Sequence, residues 1–238
     1  MTLSSDFPRR GLHAEVVHHI GLRIVRGDLE PGDLLPNEDQ LSRDLYVSRT
    51  VLREAIKVLT AKGLVQSKPR TGTWVRPRRY WNMLDPDVLA WRIESGPDQA
   101  VLQEIFALRR LIEASAAREA ADWATEDEIA ELRQAYAEME RAIASADGYI
   151  AADVRFHTAI SRACHNELLE YMGEMLRGVY EASFTALHTQ QPAIMSASLP
   201  YHAAVLHAIT RRNGGEAERA MLELIDHSAA FRDGEDPQ

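Results

Sequence analysis

Apolar residues Leu41, Leu45, Val47, Leu52, Ala55, Ile56 and Leu59 recur at helical spacing, with a break at Tyr46-Val47-Ser48. That pattern predicts helix, short turn, helix. Upstream, Leu12, Val16, Ile20 and Ile24 mark one face of another helix over about 12–26. The cluster Gly27-Asp28-Leu29-Glu30-Pro31-Gly32 is a turn, followed by a tight loop from Asp33 to Pro36. The first helix of the pair is expected to start near Asn37, with Glu38 and Asp39 where the helix dipole favours acids. Ser48 can cap the second helix, because its hydroxyl satisfies a free backbone N–H. Gly63 can end it, because glycine tolerates the left-handed conformation. Two β-like runs, Leu64 to Ser67 and Thr73 to Val75, flank Lys68-Pro69-Arg70-Thr71-Gly72 and predict a hairpin with a basic tip. Together these elements form a winged helix.

The pattern then changes. Arg76 to Asn82 is basic, proline-containing and aromatic, as a linker would be. Asp85-Pro86 supplies an N-cap with proline at the first helical position. A short helix should follow to about Glu94, with Val88, Leu89, Trp91 and Ile93 as apolar surface and Ser95-Gly96-Pro97 as the stop. Beyond it, helical spacing predicts segments over about 99–122, 126–145, 147–164, 166–189, 199–212 and 215–231. Thr125 with Glu128 has the capping-box pattern. Breaks are expected at Asp147-Gly148, His165-Asn166, Gln191-Pro192 and Asn213-Gly214-Gly215. The expected fold is mainly α. An N-terminal winged helix-turn-helix spans 8–76, a linker with a short helix spans 77–98, and a C-terminal all-α antiparallel helical bundle spans 99–232. The interior of such a bundle is a natural ligand site.

Composition adds a contrast between the two halves. The chain of 238 residues has a net charge of −9, which by itself argues against nucleic acid. Residues 1–80, however, carry 14 Lys+Arg against 9 Asp+Glu, a net of +5, and the remainder carries −14. A basic module joined to an acidic one points to nucleic-acid binding in the first and another task in the second. The single cysteine, Cys164, excludes an internal disulfide framework and suits a reducing cytoplasm. Arg9-Arg10 is followed by no apolar signal-peptide core, and no apolar run is long enough to predict a membrane span.

Candidate chemistry follows from spacing. Arg49 and Arg53 lie four apart on one helix face, where arginine can fork onto guanine O6 and N7. The alternative is that Arg53 pairs with Glu54 or Asp44. Lys68 and Arg70 on the wing suit phosphate or the minor groove. Asp153 and His157 stand one helical turn apart and can share a divalent ion such as zinc, or simply pair with each other or with arginines. Arg109 lies among Leu102, Ile105, Phe106 and Ile112; it can clamp a carboxylate, or bridge to Glu104 or Glu113. His13, His18 and His19 have no ligand partner at a convincing spacing. There is no separate general-base motif, nucleophile elbow or phosphate loop. A metal-dependent hydrolase fused to a DNA-binding domain therefore remains an alternative without its machinery. An effector-independent architectural DNA binder is the other.

The string LEPGDLLPNEDQLSRDLYVSRTVLREAIKVLTAKGLV, followed by TGTWV, resembles the winged helix of the GntR family of transcriptional regulators. Asp153-Val154-Arg155-Phe156-His157, His165-Asn166 and His202 with Leu206-His207-Ala208-Ile209 resemble the FadR-type effector domain, called FCD. Tyr80 to Trp91 is similar to the linker of regulators of galactonate and related sugar-acid catabolism. The resemblance implies a homodimeric, ligand-responsive regulator of operator DNA, with the character of a repressor released by a small carboxylate such as a sugar acid. It implies DNA contacts from Ser48, Arg49, Thr50 and Arg53, and from Lys68, Arg70 and Gly72 on the wing. It implies effector contacts from Arg109 and Asn166. It adds His202 to Asp153 and His157 as metal ligands, with His227 as a further candidate, because Leu224 stands where the last ligand is usual. Two further departures, Asp39 in place of an arginine and Arg70 in place of a wing glycine, imply an operator of this chain's own.

Overall fold

The structure is a computed structural model that describes residues 11–69, 71–96, 99–190 and 193–232. Arg70, the expected domain start at residue 8, the Pro97-Asp98 end of the expected linker and the Gln191-Pro192 break lie outside the described residues. The chain divides into two compact units at the 98/99 boundary.

The first unit contains α1 (Gly11–Arg26), α2 (Glu38–Asp44), α3 (Arg49–Ala61), β1 (Val65–Lys68), β2 (Gly72–Val75) and α4 (Pro86–Glu94). Asn37 caps α2, its side chain accepting from Gln40 N, and Ser48 caps α3, accepting from Val51 N. At the other end of α3, Gly63 takes φ +77 and Leu64 N donates to Leu59 O at 3.0 Å. A left-handed residue there satisfies carbonyls that the last turn leaves open. The strands pair antiparallel, Val65 opposite Val75 and Lys68 opposite Gly72. The loop expected from Asp33 to Pro36 is pinned to this hairpin: Leu35 N donates to Thr73 O at 2.8 Å and Val75 N to Asp33 O at 3.0 Å. Val16, Ile20, Ile24, Leu41, Leu52, Leu59 and Val65 form the core.

Residues 77–96 of the stretch expected as a linker are built into this unit. Val88 and Trp91 join the same core. Gly21 makes room for α4, because a Cβ there would stand 2.3 Å from the Trp91 ring. The buried indole keeps a partner, its Nε1 donating to His18 Nδ1 at 2.8 Å. Lys62, at the end of α3, bridges to Asp85 at 2.8 Å and to Asp87 at 2.6 Å. Asn82 N also donates to Lys62 O at 2.9 Å. The apolar face of α4 thus docks on the core of this unit.

The second unit contains α5 (Gln99–Trp123), α6 (Glu126–Arg141), α7 (Ala146–Ala163), α8 (Glu167–Gln190), α9 (Ala193–Thr210) and α10 (Gly214–Arg232). Helix α10 packs on α5 and α9, while α7 packs on α5, α6 and α8. Ala114, Ala116, Ala117, Ala120 and Ala121 are buried along α5, and small side chains let neighbouring helices approach closely. Several boundaries differ from the sequence reading, among them the end of α6 at Arg141 rather than 145. The break expected at Asp147-Gly148 falls before them, because Ser145 caps α7 by accepting from Gly148 N at 3.3 Å. Helix α9 begins at Ala193 rather than 199 and carries Pro200 within it. An exposed proline there removes one helical N–H without burying the carbonyl it leaves.

Candidate functional site

Two groups of side chains stand out, one on the surface of the first unit and one buried in the second. In the first unit, Ser48, Arg49, Thr50 and Arg53 are all exposed on the first two turns of α3. A groove of about 1000 Å³ runs between α2, α3 and the wing, with Asn37, Glu38, Arg53, Lys57, Lys68 and Thr71 on its walls. Lys68 Nζ lies 4.9 Å from the centre of the Trp74 ring, a cation–π contact on the wing. Gly72 has φ +103, and a Cβ there would meet Leu34 at 2.9 Å, so the wing turn needs a glycine. Arg49 and Arg53 do not pair with Glu54 or Asp44. Arg49 Nε lies 2.9 Å from Asp39 Oδ1, and Arg53 Nε donates to Glu38 Oε2 at 2.8 Å. Glu54 is taken by Lys57 instead, 2.7 Å away.

In the second unit, α7 carries Asp153 and His157 inward, α9 brings His202, and α5 brings Arg109 and Glu113. All five are almost completely buried. Asp153 Oδ1 lies 3.0 Å from His202 Nε2 and 3.3 Å from His157 Nε2. On its far side, His202 Nδ1 faces Ser198 O at 2.9 Å, and His157 Nδ1 faces Glu113 Oε2 at 2.6 Å. An imidazole that gives its Nδ1 proton to an oxygen has a lone pair on Nε2. Both lone pairs then converge on a carboxylate oxygen, an arrangement that needs a positive charge between them. A second proton on an imidazole can supply it. Burial would push His157 down, but the Glu113 charge and its contacts to Asp153 and Glu113 raise it to about 9. A divalent cation supplies it equally well, and the ligand atoms of Asp153, His157 and His202 all lie within 4.8 Å of one another. Two imidazoles and a carboxylate, each imidazole oriented from behind, fit such an ion.

Arg109 realises the salt-bridge alternative. Its Nε donates to Glu113 Oε1 at 2.6 Å, and its guanidinium lies 5.4 Å from the Phe106 ring and 5.3 Å from the Tyr180 ring. Glu113 is thus shared between Arg109 and His157. Burial would raise its carboxyl, but Arg109 and then His157 hold it down at about 2. The Tyr180 hydroxyl is pushed well above its usual value by burial and then by Glu113. Tyr149 donates to or accepts from Ser198 at 2.7 Å, beside the His202 backbone contact. His227 stacks on Tyr201 with ring centres 4.2 Å apart and is not in the group of three. Leu224 is a buried core residue. Asn166 is exposed, and its side chain caps α8 by accepting from Leu168 N and Leu169 N.

Glu113 is the residue that sequence reasoning undervalued. Its spacing of four from Arg109 marks it as an ion-pair partner, but nothing in the chain announces that His157 reaches the other oxygen. Tyr180 and Ser198 carry no local signal at all. Among the described residues, no helix is long and apolar enough to cross a membrane.

Residues 12–75 match the family model for bacterial regulatory proteins of the gntR family, and residues 104–227 match that of the FCD domain. The chain is 33% identical over 213 residues to the galactonate operon transcriptional repressor of Escherichia coli K12, covering 90% of this chain and 93% of that one. It is 35% identical over 214 residues to the Uxu operon transcriptional regulator of the same strain, covering 86% of this chain and 80% of that one. Among solved structures, Lar, which controls the expression of the Listeria monocytogenes agr system, matches with a TM-score of 0.66 at 18% identity, over 96% of this chain and 99% of that one. Escherichia coli McbR/YncC matches with a TM-score of 0.54 at 20% identity, over 94% and 99%. At these identities the two structures speak for the fold.

Proposed function

Since the chain belongs to the gntR family of bacterial regulatory proteins and carries an FCD domain, it is a ligand-responsive, DNA-binding transcriptional regulator and not an enzyme, and we propose that it is a homodimeric repressor released from its operator by a small carboxylate. A sugar acid is the favoured class, supported by the relative that represses a galactonate operon. The hydrolase and architectural alternatives have no such support.

In this reading Arg49 and Arg53 read base edges, Ser48 and Thr50 contact phosphates or base edges, and Lys68, Arg70 and Gly72 contact the DNA from the wing. Asp153, His157 and His202 would hold a divalent ion, zinc being suited to the ligand set. Such an ion supplies a positive centre that attracts an effector carboxylate. Arg109 adds a second cation beside it and Glu113 holds both Arg109 and His157 in place. Asn166 and His227 join the effector or metal site only if their present roles, helix cap and ring stack, are given up, so they are not assigned to it.

The observation that carries this reading is the buried run Arg109, Glu113, His157, Asp153 and His202, which gathers charge in a core where an unpaired ion is costly. The test uses a duplex enriched by the full-length protein from a randomised pool. Binding to it is titrated against sugar acids and dicarboxylates, with and without chelator. One class should weaken binding, chelation should blunt that response, and DNA should weaken effector affinity by the same factor. No response across the panel would overturn the carboxylate reading.

A further inference from the structure

We propose that Asp39 is a positioning residue that sets the base selectivity of Arg49 by pairing with its guanidinium on the Nε side and by penalising contact with phosphate. The inference rests on α3 reading DNA as proposed above.

Arg49 is the first residue of α3 and Asp39 the second of α2. The contact between them is made at Nε, 2.9 Å from Asp39 Oδ1. Arg53 pairs with Glu38 one turn later, there with its Nε donating to Oε2, whereas Arg49 and Asp39 meet as an ion pair. A guanidinium is a rigid planar fork. A carboxylate charge on its Nε side draws that edge toward Asp39 and leaves the two Nη groups as the pair that can fork onto guanine O6 and N7. The Arg49 side chain is 64% exposed, so little else restrains it. Without Asp39 the long side chain is free to turn to a phosphate, where it gains affinity but no sequence information.

Charge acts in the same direction. Any phosphate that approaches Arg49 also approaches Asp39, whereas the edge of guanine carries no net charge. The pair therefore taxes backbone-only contact more than base contact. Among the described residues Asp39 makes no other contact of comparable weight. The N-cap of α2 is Asn37, whose Oδ1 accepts from Gln40 N at 2.9 Å. What remains for Asp39 in the fold is a first-turn dipole contribution and an exposed ion pair, both small. A basic unit that sets two carboxylates against its two reading arginines gives up non-specific affinity, and selectivity is what that arrangement can gain.

The experiment compares the full-length protein with Asp39→Asn, Asp39→Glu, Arg49→Ala and the double variant Arg49→Ala/Asp39→Asn. The probes are the duplex enriched by the wild type from a randomised pool and a scrambled duplex of equal length. For Asp39→Asn, binding to the scrambled duplex should tighten and the slope of log K against log salt should steepen by about one. The preference for the enriched duplex should fall by about fivefold, the low end of what one bidentate guanine contact discriminates. Asp39→Glu should keep most of the preference, which a merely structural role would not require. In the Arg49→Ala background, Asp39→Asn should change the preference no further. An unchanged preference and slope in Asp39→Asn would overturn the inference. So would an equal effect in both backgrounds, which would mean that Asp39 acts without Arg49. Wild-type preference in Arg49→Ala itself would overturn the reading of α3, and this inference with it.

Discussion

Arg49 and Arg109 each face a carboxylate at Nε, but the Arg49 side chain is 64% exposed beside Asp39 while that of Arg109 is 1% exposed beside Glu113. The difference decides what each arginine can do. An exposed pair contributes about 0–1 kcal/mol, so water or a base edge can replace the carboxylate at little cost, while a phosphate must also approach the Asp39 charge. A buried pair cannot exchange partners so freely, because removing one member strands the other in a medium that solvates it poorly. The first unit keeps its functional charges replaceable. The second keeps its charges locked in buried pairs.

Substitution of the two carboxylate partners breaks this comparison most sharply. Glu113→Gln leaves Arg109 and His157 without their shared counter-charge, and should lower stability by about 3–5 kcal/mol. Asp39→Asn should stay within about 0.5 kcal/mol of the wild type. Thermal melts of the two variants check this; similar melting temperatures would show that burial does not separate the two pairs.

Metal addition comes next. A divalent ion that binds only the folded bundle at about 100 times its Kd should stabilise it by about 2.7 kcal/mol. Zinc should therefore raise the melting temperature of the wild type, and chelator should reverse the gain. Asp153→Asn or His202→Ala should abolish it, while Arg49→Ala should leave it whole. A gain that survives loss of His202 would place the ion elsewhere.

The smallest effect sharpens the comparison from the surface of the second unit. Thr125 and Glu128 form a reciprocal capping box, and Glu128 also meets His165 Nε2 at 3.0 Å. Burial would raise the Glu128 carboxyl, but its hydrogen bonds to His165 and Thr125 lower it below the usual 4.5. A carboxylate depressed in the folded state stabilises above its unfolded value and loses that contribution as pH falls through the folded one. Glu128→Ala should thus cost less than about 1 kcal/mol at neutral pH. Denaturant titrations of both proteins should converge as the pH is lowered below 4.5. A constant gap across that range would remove the carboxylate from the account.

Local chemistry was the readable part of this chain. Ser48, Asp85 with Pro86, and Thr125 with Glu128 act within four residues of themselves, and each caps the helix that the sequence assigns to it. Asp153 and His157 are one turn apart, so their shared face was visible without a fold. The cross-helix partners were not. Glu113 meets His157 only because α5 packs on α7, and Asp39 meets Arg49 only because α2 crosses the start of α3. The arrival of His202 beside Asp153 came from the resemblance to a family, since 49 positions separate them and no spacing rule spans that gap. Asp147-Gly148 misled for the opposite reason: turn residues can also sit in a helix's first turn once Ser145 has capped it.

The docking of α4 bears on how such regulators can be recombined. Trp91 fills the notch left by Gly21, and Lys62 ties the end of α3 to Asp85 and Asp87. A head excised at Val75 would leave behind the residues that close its own core. A chimera that transplants this reading head onto another sensor should therefore be spliced behind α4, around Gly96, so that the graft carries its lid with it.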